Sequence, residues 1–264
     1  MRFVLPMLLS TCLLAGDPML QKVVDGDHRS PENKARDVYR HPAETLAFFG
    51  IKPDMTVVEI SPGGGWYTEI LAPYLREKGT FYAAHAAPDA TGYYKRSYDG
   101  YQALLATHPE AYDKVKMCIF QPGTKIEMPE GQADMVLTFR NVHNWMPDNA
   151  QPAFDAFFKT LKSGGILGVV EHRRPADKAA DPDSGYVHVQ TVIDLATKAG
   201  FKLVDQSEIN ANPKDTTEHP NGVWTLPPRL ATKVKEGDNE RELDAEALKA
   251  IGESDRMTLK FVKP

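Results

Sequence analysis

The sequence predicts an α/β protein with a doubly wound, mostly parallel sheet and an N-terminal helical lead-in. Two observations carry that prediction. Short apolar runs recur at Thr56–Ile60, Gly79–His85, Val115–Phe120, Ala133–Phe139, Ile166–Val170 and Phe201–Ile209. For most of the chain they alternate with stretches at helical spacing, the pattern of strands joined by helical crossovers. The second observation is the stretch TVVEISPGGGWYTEILAPYL at 56–75. A buried strand ends there at Pro62 and three glycines, and Trp66, Ile70, Leu71 and Tyr74 then fall on one helical face.

Composition limits the function classes. The chain has 264 residues, enough for one full core. It is 42% hydrophobic and 25% charged, as in soluble globular proteins. A formal net charge of −5 leaves no electrostatic footprint for nucleic acid, so a small-molecule substrate is expected. There are two cysteines, Cys12 and Cys118, and no disulfide framework.

Strand, glycine turn and helix N-terminus together cradle a ligand. Gly63, Gly64 and Gly65 let the backbone approach closely, and unpaired helix N–H groups favour negative charge. The nicotinamide fingerprint does not fit, because Thr68 stands where its third small residue belongs. Glu59, just before the glycines, would repel a pyrophosphate and attract an ammonium. A ligand bearing both an ammonium and a carboxylate fits better, as in the methionine end of S-adenosylmethionine.

Glu59-Ile60-Ser61-Pro62-Gly63-Gly64-Gly65 resembles the first motif of class I S-adenosylmethionine-dependent methyltransferases. The longer string VVEISPGGGWYTEILAPYL resembles a bacterial group of predicted methyltransferases. The resemblance spans roughly residues 30–264. It implies a Rossmann-like, seven-strand, mostly parallel sheet with S-adenosylmethionine as cofactor. Glu59 would hold the donor's amino group, and Ser61, Pro62 and Gly63 to Gly65 its carboxylate side. The family places an acid at the end of the second strand to bind ribose, where this chain has His85. Gln121, after the third strand, falls where the family often meets adenine, and Arg140 joins the cofactor-binding set.

The remaining elements follow in order. Ser30 caps a helix opening at Pro31, a second short helix runs from Ala43 to Phe49, and Gly50 closes it. Arg36, Tyr39, Arg40 and His41 could face the pocket or solvent. Residues 92–113 are aromatic and polar with a helical middle; Tyr93, Tyr94, Tyr98 and Tyr101 would pack there or line a sulfonium site. Strand four ends in Arg140-Asn141-Val142-His143-Asn144-Trp145, beside the end of strand one in a doubly wound order. His143 is a general base by type, Asn141 a donor and acceptor, and Tyr67 a group that could orient or deprotonate an acceptor. A histidine satisfied within the core is the competing reading of His143. Helices are expected at Gln151–Leu161, stopped by Lys162-Ser163-Gly164-Gly165, and at Val187–Ala199. A further helix is expected from Asp238 to Ile251, with Asn239 and Glu242 as a capping box. Arg256–Val262 is read as the last, antiparallel strand.

Met1 to Gly16 reads as a signal-like leader, residues 17–50 as the helical lead-in and 51–264 as the methyltransferase-like domain. Leu9-Ser10-Thr11-Cys12 resembles a lipoprotein box, so membrane contact would run through a lipid on Cys12. The protein would be periplasmic or lipid-anchored if the leader functions, and cytoplasmic otherwise. Export would separate the enzyme from its donor, so the alternative is an exported, non-catalytic small-ligand-binding protein that keeps the fold. Three of His85, His143, His172 and His188 fall at or near predicted strand ends on one edge, so a His-rich site is geometrically possible, but there is no HxH, HExxH or CxxC spacing and no metal is expected. There is no Gly-x-Ser-x-Gly elbow and no lysine-bearing phosphate loop.

Overall fold

The computed structural model describes residues 17–237 and 239–264; the leader-like segment, including Cys12, lies outside the described residues. The strands are β1 (Thr56–Ile60), β2 (Thr80–His85), β3 (Lys116–Gln121), β4 (Lys125–Glu127), β5 (Ala133–Phe139), β6 (Leu161–Arg174), β7 (Val187–His188), β8 (Lys202–Ser207), β9 (Lys233–Glu236), β10 (Asn239–Glu242) and β11 (Arg256–Val262). The main sheet runs β4-β3-β2-β1-β5-β6-β11-β8, with β7 paired to β6. Leaving out β4 and β7, it is the expected seven-strand sheet. β3, β2, β1, β5 and β6 are mutually parallel, and β11 runs antiparallel to β6 and β8. The chain moves outward through β2 and β3, then returns to the other side of β1 with β5. Ligands of open α/β sheets sit outside the carboxyl ends at such a reversal.

Helices cover both faces, which is why the central strands read as near-continuous apolar runs. The helices are α1 (Pro18–Val24), α2 (Pro31–Lys34), α3 (Asp37–Arg40), α4 (Pro42–Phe49), α5 (Thr68–Leu75), α6 (Gly92–Thr107), α7 (Pro109–Tyr112), α8 (Ala150–Thr160), α9 (Val189–Ala199) and α10 (Ala245–Ile251). Val57, Met135 and Leu137 pack with Leu46 and Phe49 of α4 and Ile70 and Leu71 of α5. Val58, Ile60 and Val136 pack with Phe154 and Phe157 of α8 and Val192 of α9. Strand alternation therefore puts Glu59 on the same face as Val57, towards α5.

The lead-in is tied to α5 by backbone chemistry. Pro73 lies inside α5 and has no N–H for the carbonyl of Glu69. His28 Nε2 takes that carbonyl at 2.7 Å. Ser30 caps α2 by accepting from Asn33 N. Gly50, at φ +84°, ends α4 in the left-handed conformation that glycine adopts readily. Among the described residues, no helix is long and apolar enough to cross a membrane.

Three expectations need correction. Val187 and His188, expected to open a helix, pair with Arg173 and Arg174 as β7, and the helix begins at Val189. Residues 239–242 are not helical: they form the second strand of a β9–β10 hairpin. Gly237 turns at φ +64°, and Lys233 pairs across the strands with Glu240 at 3.1 Å. Asn239 and Glu242 are therefore no capping box; α10 is capped instead by Asp244, which accepts from Glu246 N and Ala247 N. The fifth predicted strand also begins earlier than Ile166. Leu161 already pairs with Ala133, and the Gly164-Gly165 turn is bonded to Lys263.

Candidate functional site

The bend after β1 is built from left-handed residues: Ser61 at φ +48°, Gly63 at +59° and Gly65 at +81°. Its glycines differ in surroundings. A Cβ on Gly65 would lie 2.1 Å from Leu104 Cδ2, so this glycine serves packing. A Cβ on Gly63 or Gly64 would meet nothing within 4 Å. That open space belongs to a cavity of about 380 Å³ bordered by Glu59, Ser61 to Gly64, Tyr67, Arg140, Asn141 and His143.

Glu59 is 3% exposed and faces this bend. Thr68, the first residue of α5, donates its hydroxyl to Glu59 Oε2 at 3.0 Å, and Tyr101 Oη lies 3.0 Å from the same hydroxyl. Burial pushes the Glu59 carboxyl up to about 8. Trp66 does not fill the bend. Its Nε1 donates to Asn33 O at 3.0 Å, and the guanidinium of Arg40 lies 4.6 Å from its ring centroid. Tyr67 stacks on Phe139 with ring centroids 3.5 Å apart. Burial raises its phenol, so Tyr67 can orient an acceptor but is a poor base near neutrality.

A wider cavity of about 900 Å³ adjoins the first and shares Ser61, Gly63 and Asn141 with it. His85, Phe120, Pro122, Tyr93 and Tyr94 help to line it. His85 Nδ1 accepts from Ala86 N at 2.8 Å, which puts the ring proton on Nε2, 3.4 Å from Gly63 O. Nδ1 therefore serves the backbone after the strand, and Nε2 lies between Gly63 O and Ser97 Oγ, the latter 3.5 Å away. Gln121 borders neither cavity; its side-chain oxygen accepts from Ala87 N at 3.3 Å. Tyr101 is fully buried behind Thr68, so the four tyrosines of this region do not form one wall.

The ends of β5 and β6 bring the other candidates together. Asn141 Nδ2 donates to Ile60 O at 3.0 Å and ties β5 to the end of β1. Arg140, at φ +61°, enters the smaller cavity, and burial lowers its pKa to about 10. His143 Nδ1 lies 3.0 Å from Glu171 Oε1. The Glu171 carboxylate is fully buried and also accepts from Val142 N at 2.5 Å and His172 N at 2.8 Å. A buried acid on Nδ1–H leaves Nε2 as the basic atom of His143. The strand-end sequence Glu171-His172 was visible as sequence, but its contact with His143 arises only from the pairing of β5 with β6.

Ligating atoms of His143, Glu171 and His172 lie within 4.8 Å of one another. Their partners favour proton handling over cation binding. The Glu171 oxygens are engaged by four N–H groups, and His172 Nδ1 is 2.5 Å from Ser254 Oγ. Burial first, then His143, Arg140 and Arg256, hold His172 well below the usual histidine range, so positive charge already surrounds the trio. His85 and His188 lie apart from it, with His188 Nε2 2.9 Å from Lys178 O.

No protein-family model matches this sequence, and no curated protein matches it. Solved structures do. A SAM dependent methyltransferase from Aquifex aeolicus matches with a TM-score of 0.55 at 19% identity, over 72% of this chain and 93% of that one. CrArsM, an arsenic (III) S-adenosylmethionine methyltransferase from Chlamydomonas reinhardtii, matches at 0.53 and 12% identity, over 94% and 74%. The [4+2]-cyclase SpnF matches at 0.57 and 14% identity, over 94% and 92%. The chain therefore has the Rossmann-like fold of the S-adenosylmethionine-dependent methyltransferases.

Proposed function

We propose that this protein is an S-adenosylmethionine-dependent methyltransferase acting on a small molecule. The fold alone does not decide the matter, since a cyclase shares it. The observation that carries the reading is the bend: open space over Gly63 and Gly64, with the buried acid Glu59 at the edge of the same cavity. Those groups suit a zwitterionic amino-acid tail, with Glu59 towards the ammonium. The larger cavity beside Ser61 and Gly63 offers room for an adenosine. His85 Nδ1 is taken by Ala86 N and Nε2 carries the ring proton, so ribose hydroxyls there need other acceptors.

When bound, S-adenosylmethionine supplies a methyl group already activated by its sulfonium. The protein's task is then to align the acceptor, exclude water and take up a proton. His143 Nε2 is the proton-accepting atom, and Glu171 holds the ring through Nδ1 and stabilises the imidazolium that results. Tyr67 and Asn141 border the same cavity and position the acceptor. The test is incubation with methyl-labelled S-adenosylmethionine and a small-molecule extract. Label should pass to a small molecule with the native protein and not with His143→Ala. No transfer above background contradicts the reading, and equal transfer by His143→Ala removes His143 as the proton acceptor.

A further inference from the structure

The smaller cavity has a wall of arginines that methyl transfer as described does not require. Glu253, at the turn before β11, has a side chain 3% exposed. It accepts from Arg36 Nε at 2.6 Å, Arg40 Nε at 3.0 Å and Arg256 Nη1 at 3.1 Å. Arg140 lies close enough to feel the charges of Glu253, Arg256 and Arg36. Four guanidinium groups thus face a single carboxylate. The Arg40 and Arg256 side chains are 2% and 3% exposed, so little solvent screening relieves the excess. Arg36 Nη2 and Arg40 Nη2 are buried without a hydrogen-bond partner, and both residues border the cavity. A charged donor left unpaired out of water is costly unless a ligand satisfies it. The Trp66 ring against Arg40 offsets only part of that cost.

We propose that Arg36, Arg40 and Arg140 bind a carboxylate or similar oxyanion of the methyl acceptor, so that the substrate is an anionic small molecule. This rests on the methyltransferase reading. S-adenosylmethionine itself carries an ammonium, a sulfonium and one carboxylate, a net positive charge. If its own carboxylate took one arginine and Glu59 its ammonium, the sulfonium and the remaining guanidinium groups would still leave an excess of positive charge. An anionic acceptor offsets part of both. Planar guanidinium forks suit bidentate contact with a carboxylate. Because Arg36, Arg40, Arg140 and His143 border one cavity, an anion held there brings the rest of the acceptor to His143.

The test is calorimetry on protein saturated with S-adenosylhomocysteine, using inorganic phosphate, succinate and benzoate as probes and succinamide as the neutral control. At least one anion should bind saturably and succinamide should not. Arg36→Gln, whose side chain is 22% exposed, should keep the fold, since Glu253 retains Arg40 and Arg256. Arg36→Gln and Arg140→Gln should each weaken the anion by about tenfold or more, and Arg36→Gln should change S-adenosylhomocysteine affinity by less than about threefold. Failure of all three anions to bind, or unchanged anion affinity in both variants, overturns the proposal. Competition between anion and S-adenosylmethionine that decarboxylated S-adenosylmethionine escapes assigns the arginines to the donor's carboxylate and also overturns it. Protein that takes succinate but no S-adenosylhomocysteine fails the methyltransferase reading itself, and the acceptor assignment with it.

Discussion

Glu59 holds its proton at neutral pH in the free protein, and that has two consequences. Its ordinary value is 4.5 and its folded value about 8. Between those limits the folded state keeps a proton that the unfolded chain has released. Stability therefore falls as pH rises from about 4.5 to about 8, by at most about 5 kcal/mol. Glu59→Gln keeps an oxygen for Thr68 and should flatten that part of the pH–stability curve measured by urea unfolding. An ammonium beside Glu59 favours the ionised acid, so donor binding near pH 7 should release a proton. Titrations in buffers of different ionisation enthalpy should show this release, and Glu59→Gln should abolish it. Once an acceptor is known, Glu171→Gln should lower kcat by about 100-fold with KM little changed, since only the orientation and charge of His143 are altered. Gly65→Ala should lose about 1–3 kcal/mol in denaturant unfolding, because it forces a side chain into a left-handed backbone against Leu104.

At the scale of elements, legibility followed how local the determinant is. β1, the bend and α5 were readable because a β-branched run, three glycines and a helical face act within twenty residues. The β9–β10 hairpin was not. Its charged residues fit a helix as well as a strand, and cross-strand pairs such as Lys233–Glu240 decide the outcome. The bond from His28 to Glu69 O was also invisible, because it joins residues 41 positions apart to meet a vacancy that Pro73 creates. His28→Ala would leave that carbonyl part-buried and unpaired. It should cost about 1–3 kcal/mol, measured by thermal or denaturant unfolding.

For the whole molecule, the sheet order gathers the site. Glu59 comes from β1, His143 follows β5, Glu171 ends β6, and Glu253 precedes β11. Residues that stand out singly in the sequence, such as Gly63, Gly64, Glu59 and His143, are the ones the structure brings to one cavity. The sequence did not disclose pairs made by the sheet, Glu171 with His143 and Glu253 with Arg36 and Arg40, since neither partner is unusual alone. Gly64 gives the most direct test. Its Cβ direction is open and its φ is not in the left-handed range, so Gly64→Val should fold normally while filling the cradle. In calorimetric titration the native protein should bind S-adenosylhomocysteine saturably at one site, and Gly64→Val, with its melting temperature unchanged, should bind at least about tenfold more weakly. No binding by the native protein at millimolar ligand, or equal affinity in the variant, would contradict the account.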